Sequence, residues 1–215
     1  MFKMVAFDLD GTIADTIPMC IEAFSHSVSP YVGHELSEQE ILRTFGLNEL
    51  GMIKALVFEN WEAALQDFYC EYARLHKKIT SPFPGILELI TFLKNQNIIL
   101  ALVTGKGERS CRISLKALGL EYVFDVLCYG SEKAPNKKEN IEFLLKQYSI
   151  FSGQFCYIGD AVSDIKACRE AGVLCFSAAW QEASNFILLE KENPKRVYSS
   201  VWNLYQHFRN IQVAD

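Results

Sequence analysis

The sequence predicts an α/β protein, a doubly wound parallel sheet interrupted near its start by a helical insert. Three observations carry this. Five short apolar runs, rich in β-branched or aromatic residues, stop abruptly at a small or acidic residue: MVAF before Asp8, IILALV before Thr104, VFDVLCYG before Ser131, FCYIG before Asp160 and VLCFSAA before Trp180. Between them lie stretches with helical spacing, such as ILELITFLKNQN, ERSCRISLKALGL, KKENIEFLLKQY and DIKACREAG. Residues 16 to about 80 break that rhythm, with helical patterns and no convincing strand.

Taken in order, the apolar runs are continuous rather than alternating. That suits strands covered on both faces, hence a parallel sheet built from βαβ repeats. After the first strand comes the insert. Leu36-Ser37-Glu38-Gln39-Glu40 offers a capping box from Ser37 to Glu40 ahead of an apolar run. Trp61, Leu65, Phe68, Tyr72 and Leu75 then fall at helical intervals, a stripe that reads as the core of a helix packing rather than as an aromatic binding surface. The insert closes at SPFPG, where Pro82 and Pro84 stop a helix and Gly85 precedes the next. Several later helical stretches end in Gly or Asn. The expected division is a core of residues 1–15 and 81–215 with a cap of residues 16–80.

At 215 residues, 50% hydrophobic and 22% charged, the chain buries a substantial core. A net charge of −5 with no dense Lys/Arg run argues against nucleic acid or an anionic membrane as the main partner. No apolar run approaches the ~18 residues that span a bilayer, and the N-terminus lacks a secretory pattern, so a cytoplasmic location is expected. The seven cysteines include no C-x-x-C pair and read as mostly buried thiols. His26, His34, His76 and His207 match no ligand or triad pattern.

In an open parallel sheet, ligands sit beyond the carboxyl ends of the strands. Those ends hold Asp8 with Asp10, Thr104 with Gly105, and Asp160, while the lysine-rich KAPNKKEN follows the strand ending near Gly130. FDLDGT by itself leaves open a calcium site, a phosphorylated signalling aspartate and an enzyme nucleophile. An EF-hand fails on spacing, because Met19 stands where the bidentate Glu belongs. A receiver-type signalling domain leaves the insert and Asp10 unexplained. The whole set suits phosphoryl transfer to a carboxylate. Such an attack on a phosphate dianion meets a repulsion of ~8 kcal/mol at about 4 Å and an effective dielectric of about 20, so it needs counter-charge.

Four motifs resemble those of the haloacid dehalogenase (HAD) superfamily of phosphohydrolases: DLDGT at Asp8–Thr12, VTGK at Val103–Lys106, a lysine ahead of a helix, and GDAVSD at Gly159–Asp164. The resemblance implies a Rossmann-like core, a helical C1 cap and closest kinship with the phosphoglycolate-phosphatase-like subgroup. It implies an enzyme, a Mg²⁺-dependent phosphomonoesterase acting on a small phosphorylated metabolite through an aspartyl-phosphate. Asp8 resembles the nucleophile, and Asp10 the general acid that later serves as base. Mg²⁺ would be held by Asp8, Asp160 and the backbone carbonyl of Asp10, with Asp164 orienting metal-bound water or the ligands. Thr104, Gly105 and Lys106 would meet the phosphoryl group or substrate, and Gly11 and Thr12 would turn the chain beside it.

For the lysine, K-K-E-N-I favours Lys137, with Lys133 as the alternative, since Ala134 breaks the common Lys-Pro-x-Pro pattern. Asp15 reads equally as a cap-hinge contact or a helix N-cap. A dehalogenase is disfavoured because Asp10 is present. β-Phosphoglucomutase-like transfer shares all four motifs and differs chiefly in the cap. Cap loops between residues 30 and 60 should set specificity; Arg43 and Lys54 there read as surface charges. Oligomeric state is not written in the pattern.

Overall fold

The computed structural model describes residues 1–78 and 81–213. The expected end of the cap at residue 80 and the final residues 214 and 215 therefore lie outside the described residues. Six strands, β1 (Met4–Phe7), β2 (Ile99–Val103), β3 (Val126–Cys128), β4 (Phe155–Gly159), β5 (Leu174–Ala178) and β6 (Val197–Tyr198), form one sheet in the order β3-β2-β1-β4-β5-β6. Every neighbouring pair is parallel. The reversal of strand order falls between β1 and β4, so their carboxyl ends flank the crevice where such folds bind ligands. This order also separates the sheet from the 2-1-3-4-5 order of receiver-type domains.

Alternation along the strands divides the core in two. Val5 and Phe7 of β1, with Leu100, Leu102 and Ile158, face α5 (Ile86–Asn95), α6 (Glu108–Ala117) and α10 (Val201–Val213). Met4 and Ala6, with Ala101, Val103, Phe155 and Tyr157, face α7 (Lys137–Gln147), α8 (Val162–Glu170) and α9 (Phe186–Glu192). Coverage on both faces explains the unbroken apolar runs. The final strand β6 and the helices beside it lie beyond the last apolar run. β6 is two residues long and pairs only with β5, too short to leave a pattern.

Between β1 and α5 stand four helices: α1 (Ile17–Val32), α2 (Glu38–Leu42), α3 (Glu49–Leu56) and α4 (Trp61–His76). They enclose their own core of Phe24, Val28, Ile41, Ile53, Phe68, Tyr72 and Leu75. The Phe24 and Phe68 ring centroids are 4.6 Å apart, and the Ser37–Glu40 capping box opens α2. The aromatic stripe of α4 is core packing. Two seams join these helices to the sheet domain. On one, the Tyr72 hydroxyl lies 3.0 Å from Ser114 Oγ of α6. On the other, the Asn48 N–H donates to Ser131 O at 2.9 Å, and Lys54 pairs with Glu132 at 2.7 Å. Among the described residues no helix is long and apolar enough to cross a membrane.

Candidate active site

β1 delivers Asp8 to the crevice directly after its last residue, and the Asp8 N–H still bonds Ile158 O of β4 at 2.8 Å. Gly11, at φ +71°, turns the chain back; a Cβ there would lie 2.3 Å from Asp160 Oδ2, so only glycine fits. Asp160 follows β4, Thr104 follows β2, and Lys137 is the first residue of α7. The ends of three strands and one helix thus meet in a cavity of about 510 Å³ lined by Asp8, Asp10, Gly105, Lys106, Lys137 and Asp160.

Lys137 is the hub. Its Nζ lies 2.8 Å from Asp8 Oδ2 and 2.6 Å from Asp164 Oδ1, whereas Lys133 is exposed. Burial favours the neutral amine, but Asp164 and Asp8 outweigh it and hold the Lys137 pKa above the usual lysine value. Burial pushes Asp8 up to about 6; Lys137 pulls it down, while Asp164 and Asp10 push it up again. Asp160 is raised well above an ordinary carboxylate, first by burial and then by Asp8 and Asp164.

One oxygen each of Asp8, Asp160 and Asp164 lies within 4.8 Å of the others. Asp8 Oδ1 is buried without a hydrogen-bond partner. Hard oxygen donors converging on an orphaned carboxylate oxygen fit a Mg²⁺ ion. Asp164 is already engaged: Oδ1 takes Lys137 and Oδ2 accepts the Ala161 N–H at 3.0 Å.

Thr104, Gly11, Thr12 and Asp164 sit one layer behind the cavity wall. Thr104 is fully buried, and its Oγ1 accepts the Lys106 N–H at 3.2 Å, which leaves the hydroxyl hydrogen for another acceptor. Thr12 was expected beside the phosphate, but its hydroxyl donates to Asp160 Oδ1 at 3.3 Å. Lys106 was expected on the substrate, but its buried ammonium lies 3.2 Å from Asp10 Oδ1 and 4.5 Å from the centre of the Tyr72 ring. Burial opposes its charge, yet Asp10, followed by Tyr72, keeps its pKa well above the usual value. Thr16, which the motifs did not single out, donates its hydroxyl to the same Asp10 oxygen. The N-cap of α1 is Thr16, not Asp15; the Asp15 carboxylate instead accepts from Gln181 Nε2 at 2.7 Å.

A second residue missed by motif reading is Glu49, the first of α3 and 2% exposed. Its Oε2 accepts the Gly107 N–H at 2.8 Å and its Oε1 the Ser110 hydroxyl, at the N-terminus of α6. No local pattern could reveal it, because its partners lie 58 and 61 residues away.

Comparison with known proteins places the chain. The family model of haloacid dehalogenase-like hydrolases matches residues 5–178. A candidate pyrophosphatase, PpaX, of Caldanaerobacter subterraneus is 29% identical over 203 residues, covering 93% of this chain and 91% of the relative. A phosphoglycolate phosphatase of Pseudomonas savastanoi is 27% identical over 216 residues, covering 94% of this chain and 78% of the relative. A solved structure, a predicted phosphoglycolate phosphatase of Haemophilus somnus, aligns with a TM-score of 0.80 at 20% identity over 96% of this chain and 98% of the other, a likeness of fold.

Proposed function

The chain belongs to the haloacid dehalogenase-like hydrolase family and is a phosphatase, and from that premise we propose a Mg²⁺-dependent phosphomonoesterase that works through an aspartyl-phosphate on Asp8. The observation that carries this reading is Asp8 itself: a buried carboxylate with one oxygen on Lys137 and the other unpartnered, beside Asp160. Such a group is costly to keep unless it is used.

In the proposed sequence, an Asp8 oxygen attacks phosphorus while the bond to the ester oxygen breaks. Asp10 donates its proton to that leaving oxygen. Water then attacks the phosphorus of the aspartyl-phosphate, Asp10 takes its proton, and inorganic phosphate leaves with Asp8 regenerated. Thr16 and Lys106 fix one Asp10 oxygen in place throughout. Lys137, held by Asp164, keeps a positive charge on the nucleophile and the transferring group. The Gly105 amide at the cavity wall would receive a phosphoryl oxygen, with Thr104, whose Oγ1 accepts the Lys106 N–H, bracing the turn from behind. Asp8, Asp160 and the Asp10 carbonyl would hold Mg²⁺, which when bound supplies most of the counter-charge the attack requires.

The helices of residues 16–80 serve, on this reading, as a cap that shields the intermediate from bulk water. The substrate is a small phosphorylated metabolite. A cytoplasmic setting is supported by seven free thiols.

The test is turnover of p-nitrophenyl phosphate with Mg²⁺. Asp8→Asn should lose on the order of 10⁴-fold or more in kcat, and Asp10→Asn should slow breakdown of the phosphoenzyme, seen as hydroxylamine-labile phosphate on the chain. EDTA should inhibit reversibly. An Asp8→Asn protein with wild-type turnover would overturn the assignment.

A further inference from the structure

On the reading that this is a phosphomonoesterase, we propose that its substrate releases a neutral, partly apolar alcohol rather than an anionic leaving group such as glycolate or phosphate. The leaving oxygen has to reach Asp10, and the surroundings of Asp10 are set by the insert. Thr16, which holds Asp10, opens α1, whose first turn brings Ile17 and Cys20 to the cavity. Phe45, Leu47 and Met52 complete that wall. The charged side chain that the insert adds to the cavity lining is an acid, Glu49.

An anionic leaving group would need a cation, and three of the four lysines along the cavity are committed. Lys106 is on Asp10, Lys137 on Asp8 and Asp164, and Lys138 on Glu142 at 2.9 Å. Lys166 stands exposed on α8, one turn from Glu170, on the sheet domain rather than the insert. A helix N-terminus is the other common anion receptor. Here that of α6 is occupied by Glu49, which takes the Gly107 N–H and the Ser110 hydroxyl. A substrate carboxylate against this wall would lose its water, find no cation among the side chains the insert adds there, and face the Glu49 carboxylate. A hydroxylated or alkyl leaving group suffers none of these penalties and covers Ile17, Leu47 and Met52 from solvent.

The test compares phosphoglycolate with hydroxyethyl phosphate, in which a carbinol replaces the carboxylate, alongside pyrophosphate, butyl phosphate and p-nitrophenyl phosphate, all with Mg²⁺. kcat/KM for the two esters of neutral alcohols, hydroxyethyl and butyl phosphate, should exceed that for phosphoglycolate and pyrophosphate by at least about tenfold. Phe45→Lys, at a side chain already 41% exposed and therefore tolerant of change, should move the ratio of kcat/KM for phosphoglycolate over butyl phosphate upward by about tenfold. Equal or better use of phosphoglycolate by the wild-type chain, with p-nitrophenyl phosphate hydrolysed, would overturn this inference and leave the phosphatase reading standing. No hydrolysis of any ester would overturn both.

Discussion

On the sheet side of the cavity, Asp8, Asp10 and Asp160 crowd at two neighbouring strand ends, and burial with mutual repulsion lifts Asp8 to about 6 and Asp160 well above its usual value. On the insert side, Ile17, Cys20, Phe45, Leu47 and Met52 form an apolar wall, and its acid, Glu49, has donors on both oxygens. One wall holds buried carboxylates that repel one another. The other is satisfied as it stands. On the proposed mechanism the contrast separates two tasks: the strand ends would supply reactivity common to any phosphate ester, and the insert would decide which alcohol can sit against it.

The largest effect expected from breaking this division is at Lys137. Lys137→Met removes the ammonium between Asp8 and Asp164 and should lower kcat by roughly 10²–10³-fold, by analogy with loss of one preorganised electrostatic donor. The loss should be the same for p-nitrophenyl phosphate and for every alkyl phosphate, because the charge acts on the transferring group. A loss that differed strongly between esters would show that the two walls do not divide the labour.

Next in size is a pH effect at the seam between insert and sheet domain. His76 of α4 is 1% exposed, with Nδ1 2.9 Å from Tyr72 O and Nε2 2.9 Å from Ser114 Oγ. The chain from Tyr72 O–H to Ser114 Oγ, and from the Ser114 hydroxyl to Nε2, needs a neutral ring. Burial first, and Lys106 in addition, pull the His76 pKa from 6.5 down to about 4, against the Tyr72 carbonyl and Asp10. A depressed histidine pKa means that the unfolded chain binds the proton first. Stability from this group is therefore whole above pH 6.5 and is lost as pH falls toward 4. By pH of about 4.5 the loss is on the order of 2 kcal/mol. Denaturant midpoints should fall more steeply between these pH values for the wild type than for His76→Gln, and equal slopes would remove the seam as a pH-sensitive element. Asp8 and Asp160, raised in the folded chain, titrate with the opposite sign, which is why the comparison with the variant is needed.

How far the sequence could be read follows from the range over which each signal acts. Strands covered on both faces leave unbroken apolar runs, so β1, β2, β4 and β5 were legible, as was Lys137 at the first position of its helix. β6, at two residues, left no such run. Spacing brought Asp8, Asp10, Lys137 and Asp160 to one cavity, but it could not say which neighbour each polar group would choose. Lys106 and Thr12 lie in the expected motifs yet bond to Asp10 and Asp160. Those choices are made by tertiary packing, such as the Tyr72 ring over Lys106. Glu49 and Thr16 belong to the insert, whose sequence follows only the rule of helical amphipathicity, and that rule is silent about which polar residue will face a cavity.

The smallest effect lies where the insert's α3 rests on the sheet domain. Gly51 packs so closely that a Cβ would fall 2.4 Å from the Glu132 carbonyl oxygen. Gly51→Ala must therefore push α3 away from residues 130–132, loosening the Asn48 and Lys54 contacts there. Helix propensity favours Ala over Gly by about 1 kcal/mol, which partly offsets the overpacking. The net loss of stability should accordingly be modest, about 1 kcal/mol. The kinetic consequence should be selective. The α3 displacement carries Glu49 and Met52 with it, so KM for alkyl phosphates should rise several-fold, about 1 kcal/mol, while the chemical step for bound p-nitrophenyl phosphate stays near the wild-type rate. A fall in kcat equal for all esters would instead mean that the insert takes part in phosphoryl transfer itself.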